Sequence, residues 1–192
     1  TYALNMAIKG TLETGGHVVI SGYEHNAVFR PVAALYEKKQ ISFSIADAPL
    51  FCPEDLVRAI ENQINDETKL VICTCVSNVF GYRMPIEEVD ALCSRKNVSL
   101  ILDASQSAGI LALNTKKLKS CIAVCCPGHK SLYGPQGTGV LICLKPELKT
   151  LIEGGTGSLS NEAAQPAFLP DRFENRVLRE KMAFYKALTA PS

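Results

Sequence analysis

Residues 69–76 read KLVICTCV, one charge followed by an almost unbroken apolar run. A strand wet on one face alternates apolar and polar residues; a run like this belongs to a strand covered on both faces, as in a parallel sheet between helices. The same unit recurs outward from it. Upstream, Pro53 opens a helix with Leu56, Ile60 and Ile64 at i, i+4 and i+8, and 41–45 alternates as a strand does. Before that, Pro31 fits the first turn of a helix carrying Val32, Leu35 and Tyr36, His17–Ser21 is a short strand, and Leu4, Ile8 and Leu12 mark a helix stopped by Gly15-Gly16. Downstream, Pro85 begins a helix with Ile86, Val89, Leu92 and Cys93 on one side, and 98–102, 121–126 and 138–144 are further strands. Alternating strands and helices on short turns predict an α/β fold, a mainly parallel sheet with flanking helices.

Beyond Glu153 the pattern changes. GGTGSLSNE leads into a proline-bounded segment, and 172–188 places Phe173, Val177, Met182 and Tyr185 for one face of an amphipathic helix. The reading is therefore a large α/β domain over 1–158 and a linker plus C-terminal helix over 159–192.

Composition excludes several classes. The 192 residues carry 20 Lys plus Arg against 19 Asp plus Glu, a formal charge of +1, which gives no support to a nucleic-acid or anionic-membrane partner. No apolar stretch approaches the roughly 18 residues that span a bilayer, and no secretory signal opens the chain; a cytoplasmic protein is expected. The eight cysteines include no C-x-x-C pair. Cys73, Cys75, Cys121, Cys125 and Cys126 fall in apolar strand-like runs, where a free thiol acts as a small hydrophobe, so neither a metal site nor a disulfide framework is expected. Cys52 is expected to be exposed.

Ligands of open α/β sheets bind outside the carboxyl ends of the strands. The residues just past each strand are Glu24-His25-Asn26, Ser77-Asn78, Asp103 with Gln106, and Gly128-His129-Lys130 followed by YGPQGTG. Singly they are ordinary: Lys130 a solvated lysine, His25 a helix cap, Asn78 a turn former. Asp103 is not, because an acid ending an apolar strand costs desolvation unless a cation meets it. One cofactor uses the whole set. Pyridoxal phosphate needs a lysine to hold it covalently, a carboxylate on its pyridine nitrogen, a ring over its face, donors at its phenolic oxygen and a phosphate cradle. Thr1, placed to cap the first helix, suits that cradle.

The segments EHNAV (24–28), SNVFGYRMPI (77–86), ILDASQSAG (101–109) and GHKSLYGPQGTGVL (128–141) resemble the class V aminotransferases, the fold-type I pyridoxal-phosphate group that contains cysteine desulfurases and selenocysteine lyases. The opening TYALN, EGGTGS (153–158) and LPDRFE (169–174) fit the same resemblance, which runs from Thr1 to about Glu174. It implies that Lys130 holds the cofactor and moves protons at the substrate α-carbon, and that Asp103 pairs with the pyridinium nitrogen. His25 would stack on the ring, Asn78 and Gln106 bond its phenolic oxygen, His129 and Thr1 contact the phosphate, and Thr156 reach a neighbour's phosphate. It also implies a homodimer, a cysteine or selenocysteine substrate and a sulfur-acceptor protein.

The chain departs from the family pattern in three places. Pro127 stands where the family commonly has a phosphate-binding Ser or Thr, NRVLREKMAFYKAL (175–188) replaces a glycine- and threonine-rich turn, and the small domain, with its carboxylate-binding arginine and persulfide-forming cysteine, is not expected within 192 residues. The leading expectation is the large-domain portion of a cysteine desulfurase-like enzyme. An aminotransferase or selenocysteine lyase on the same scaffold, or a non-catalytic remnant acting as an interaction module, are the alternatives.

Overall fold

A computed structural model describes residues 1–145, Leu148 and the backbone of 182–186. Among the described residues seven strands form one sheet in the order β2-β1-β3-β4-β5-β6-β7. They are β1 (His17–Ser21), β2 (Ser42–Ala46), β3 (Thr68–Thr74), β4 (Ser99–Asp103), β5 (Cys121–Pro127), β6 (Thr138–Cys143) and β7 (Met182–Lys186). The first five run parallel, whereas β6 and β7 are antiparallel to their neighbours. Four helices intervene: α1 (Tyr2–Thr11), α2 (Asn26–Glu37), α3 (Pro53–Gln63) and α4 (Ile86–Lys96).

The apolar run at 69–76 has the predicted cause. Leu70 and Ile72 point to one face, where Leu4, Ile8, Val28 and Val32 of α1 and α2 cover them. Val71 and Cys73 point to the other, under Leu56 and Ile60 of α3 and Val89 and Leu92 of α4. Residues 70–73 must therefore all be apolar, and each such side chain fully withdrawn from water contributes about 1.5–3 kcal/mol. Asn97 ends α4 in the left-handed conformation, as a C-terminal cap should.

Four expectations need correction. Pro31 lies inside α2 rather than in its first turn, because His25 caps the helix further upstream: its Nδ1 accepts the Ala27 N–H at 3.0 Å. Thr1 is the N-cap residue of α1, but its side chain makes no capping bond. Residues 182–186 are not helical; they pair with β6, Met182 opposite Ile142 and Lys186 opposite Thr138, and so extend the sheet of the large domain. Without them β6 would present a row of unpaired amides and carbonyls at the edge of the sheet. The rest of 172–188 lies outside the described residues. Cys52 is half-buried at the start of α3 rather than exposed.

None of the eight cysteines forms a disulfide, and six of them are buried. Burial pushes the thiols of Cys75, Cys93 and Cys121 up to about 12, which keeps them protonated packing groups. Among the described residues no helix is long and apolar enough to cross a membrane, and no group of three or more His, Cys, Asp or Glu could hold a metal ion.

Candidate active site

Ser21, Thr74, Asp103 and Pro127 end β1, β3, β4 and β5, and because β6 is antiparallel its first residue, Thr138, lies at the same edge of the sheet. The chemistry collects there.

Asp103 is the last residue of β4 and is buried. Its Oδ1 accepts the Ser105 N–H at 2.9 Å and also the Ser105 hydroxyl, while its backbone carbonyl accepts the Cys75 N–H at 2.9 Å. The side chain is thus fixed on both sides of the α-carbon. Ser105 was not singled out from sequence, though a Ser two residues after an Asp is the ordinary signal for such a turn.

Lys130 sits in a closed loop. The Gly134 N–H reaches the Gly128 carbonyl at 2.7 Å and the Tyr133 N–H reaches the Lys130 carbonyl at 2.9 Å. The loop requires glycine at its base, since a Cβ on Gly128 would lie 2.2 Å from Thr138 Oγ1. His129 and Lys130 themselves are exposed.

His25 stands at the start of α2. Its Nδ1 accepts a backbone N–H, so the neutral ring carries its proton on Nε2. Asn78 belongs to the loop after β3, closed where the Ser77 N–H meets the Tyr82 carbonyl at 2.9 Å.

These residues meet. A cleft of about 220 Å³ is lined by Thr1, His25, Asn78, Asp103, Gln106, His129 and Lys130, together with Ala27, Thr74, Val76, Ser105 and Pro127. A neighbouring cavity of about 350 Å³ opens on the first turn of α1 and shares Thr1, Ser105, Pro127 and His129 with it. Of the site residues expected from sequence, only Thr156 is not placed, because it lies outside the described residues.

The donor set fits pyridoxal phosphate. A buried carboxylate with a fixed orientation, two carboxamides, two imidazoles and a primary amine share one cleft, and the uncapped first turn of a helix borders it. Backbone N–H groups without a side-chain partner are natural phosphate donors.

Known proteins share the sequence and the fold. The model of the family described as aminotransferase class-V matches residues 1–176. Cysteine desulfurase IscS of Shewanella denitrificans is 32% identical over 155 residues, covering 78% of this chain and 37% of that protein. The mitochondrial cysteine desulfurase of Drosophila melanogaster is 30% identical over 146 residues, covering 73% of this chain and 30% of that protein. Among solved structures, the apo cysteine desulfurase of Thermococcus onnurineus superposes with a TM-score of 0.73 at 26% identity, over 90% of this chain and 44% of that one. SspA in complex with cysteine superposes with a TM-score of 0.70 at 27% identity, over 88% of this chain and 50% of that one. The chain thus spans about two fifths of the length of the IscS relative. With the family model matching residues 1–176 of its 192, this chain belongs to the class V aminotransferase family.

Proposed function

We propose that the chain is the pyridoxal-phosphate-binding part of a cysteine desulfurase-like enzyme, which in its complete form converts cysteine to alanine and transfers the sulfur. One observation carries the reading: seven residues picked from five separate stretches of sequence line a single cleft at the carboxyl edge of the sheet.

When bound, pyridoxal phosphate supplies an electron sink for the substrate α-carbon. The residues divide the remaining work. Lys130 would hold the cofactor and carry the α-carbon proton. Asp103, its orientation fixed by Ser105, would pair with the pyridine nitrogen and keep it protonated. His25, its ring held by the Ala27 N–H, would stack on the cofactor. Asn78 and Gln106 serve the phenolic oxygen, and His129, Thr1 and the α1 amides serve the phosphate, with Thr156 reaching across from a partner in a homodimer. Cysteine is the favoured substrate, with selenocysteine the variant of the same chemistry. A sulfur-acceptor protein and a cytoplasmic location belong to this reading.

A second reading, a cofactor-free interaction module, draws on Pro127, which lines both cavities without offering a hydroxyl or an N–H. Mixing the purified chain with pyridoxal phosphate separates the two. The first reading expects an absorbance band that borohydride fixes onto the Lys130 peptide and that Lys130→Ala abolishes. No band, or one that survives Lys130→Ala, removes it. Sulfide release from cysteine, against keto-acid formation from amino donors, then distinguishes desulfurase from aminotransferase in the full-length protein.

A further inference from the structure

Glu24 follows β1 and directly precedes His25, but it does not line the cleft. Its carboxyl turns back to the strand ends. Oε1 accepts the Ser21 hydroxyl at 2.6 Å and the Thr74 N–H at 2.6 Å, so one oxygen joins the end of β1 to the end of β3. Oε2 is buried without a hydrogen-bond partner.

The other carboxyl acting on it is Asp103 on β4. Cys73 on β3 and Cys75 just past β3 lie near it as buried, protonated thiols, and among the described residues no cation bears on it. His25, at the start of α2, directs its Nδ1 to Ala27 instead. A carboxylate with one oxygen buried and unpartnered is expensive, and a second carboxylate nearby makes it more so.

We propose that Glu24 is a positioning residue held as a neutral acid: it ties the turn bearing His25 to the end of β3 and adds no second charge beside Asp103. Its functional consequence rests on the cofactor reading above; its protonation state does not. Burial, opposed by the Ser21 and Thr74 bonds and reinforced by Asp103, raises the Glu24 carboxyl from 4.5 to about 8.

The raised value fixes a sign. The folded state holds this proton more tightly than the unfolded chain does, so the associated stability is complete below the ordinary carboxyl range. It falls as pH rises and is gone above about 8. Glu24→Gln preserves the Oε1 acceptor and is neutral at every pH, whereas Glu24→Ala removes the bridge.

The test uses the 192-residue chain without cofactor, followed by thermal unfolding from pH 5 to pH 9, with wild type and Glu24→Gln compared at each pH. Wild type should match the variant near pH 5, lose Tm relative to it up to about pH 8 and run parallel above. A variant less stable than wild type throughout, or a constant difference across the range, would overturn the neutral acid. Pyridoxal-phosphate affinity, read from the absorbance band, tests positioning. Glu24→Ala should weaken binding at least tenfold at pH 7, with Glu24→Gln recovering most of it; Glu24→Ala binding as well as wild type would overturn that role. If wild type shows no band, the cofactor reading fails while the unfolding comparison still decides the protonation state. If Glu24→Ala does not fold, the Glu24→Gln and wild-type pair decides it.

Discussion

Asp90, on α4, and Cys121, the first residue of β5, are joined by a 2.9 Å hydrogen bond from the Cys121 N–H to Asp90 Oδ1. Oδ1 also accepts the Ser120 N–H at 2.9 Å, and Oδ2 the Lys119 N–H at 2.7 Å. One buried carboxylate thus satisfies three consecutive amides where the chain enters the strand that leads to Lys130. Hydrogen bonds to a charged group contribute about 1.5–3 kcal/mol each, and donors left buried without a partner cost a similar amount. Asp90→Ala should therefore lower unfolding free energy by about 3 kcal/mol or more in urea titration. Asp90→Asn, which turns an N–H₂ toward those donors, should recover only part of it; an unchanged midpoint for either variant would show that the amides find other partners.

Gly109 ties the Asp103 turn to the lysine loop. Its φ is +85°, and a Cβ there would lie 2.6 Å from the Ser131 carbonyl oxygen, next to Lys130. Backbone on both sides leaves nothing flexible to yield. Gly109→Ala should cost about 1–3 kcal/mol of stability through backbone strain. Because the displaced neighbour is the loop itself, it should also weaken pyridoxal-phosphate binding, read as a reduced absorbance band at fixed cofactor. A stability loss with full binding would locate the strain away from Lys130.

The parts legible in the sequence are those whose physics is local. KLVICTCV needs apolar residues on both faces wherever its strand lies in a covered sheet, and Asp103 at the end of 98–102 stands out because burying an acid has a cost. The distant stretches of the cleft follow from parallel strands placing their carboxyl ends together, as β1 to β5 do. The rest depends on partners far along the chain. Residues 182–186 form a strand where β6 offers an edge. Proline favours the first turn of a helix, but the cap at His25 sets the start of α2 upstream of Pro31. The bridging role of Glu24 follows from β1 lying beside β3, a neighbour order that no local pattern encodes.

His17 gives a pH dependence opposite in sign to that of Glu24. Its ring is buried at the start of β1, with Nδ1 2.8 Å from Thr68 Oγ1 and Nε2 3.0 Å from Ser44 Oγ, so both nitrogens are engaged by hydroxyls. Burial lowers its pKa from 6.5, with Glu67 opposing. The unfolded chain therefore takes up a proton before the folded one does; the stability contributed by the neutral ring is present above about 6.5 and is lost as pH falls below it. Compared with His17→Gln, wild type should lose stability between pH 7 and pH 5 in urea titration. A difference that stays constant with pH would mean the ring titrates normally.

Pro127 offers a gain-of-function test of the cofactor reading. It ends β5 opposite Gly139 and lies where the two cavities meet, beside Thr1, Ser105 and His129. Proline brings neither a hydroxyl nor an N–H to that position, and a hydrogen bond to a charged phosphate contributes about 1.5–3 kcal/mol, a tenfold or larger change in affinity. Pro127→Ser should therefore tighten pyridoxal-phosphate binding about tenfold in an absorbance titration. Pro127→Ala separates the sources of the gain, since it restores the N–H but not the hydroxyl. Tighter binding by serine alone assigns the effect to the side chain and places the phosphate at the end of β5. An equal gain by both assigns it to the backbone, and no gain by either means the phosphate does not sit there, which would remove the α1 amides and His129 from the cradle as well.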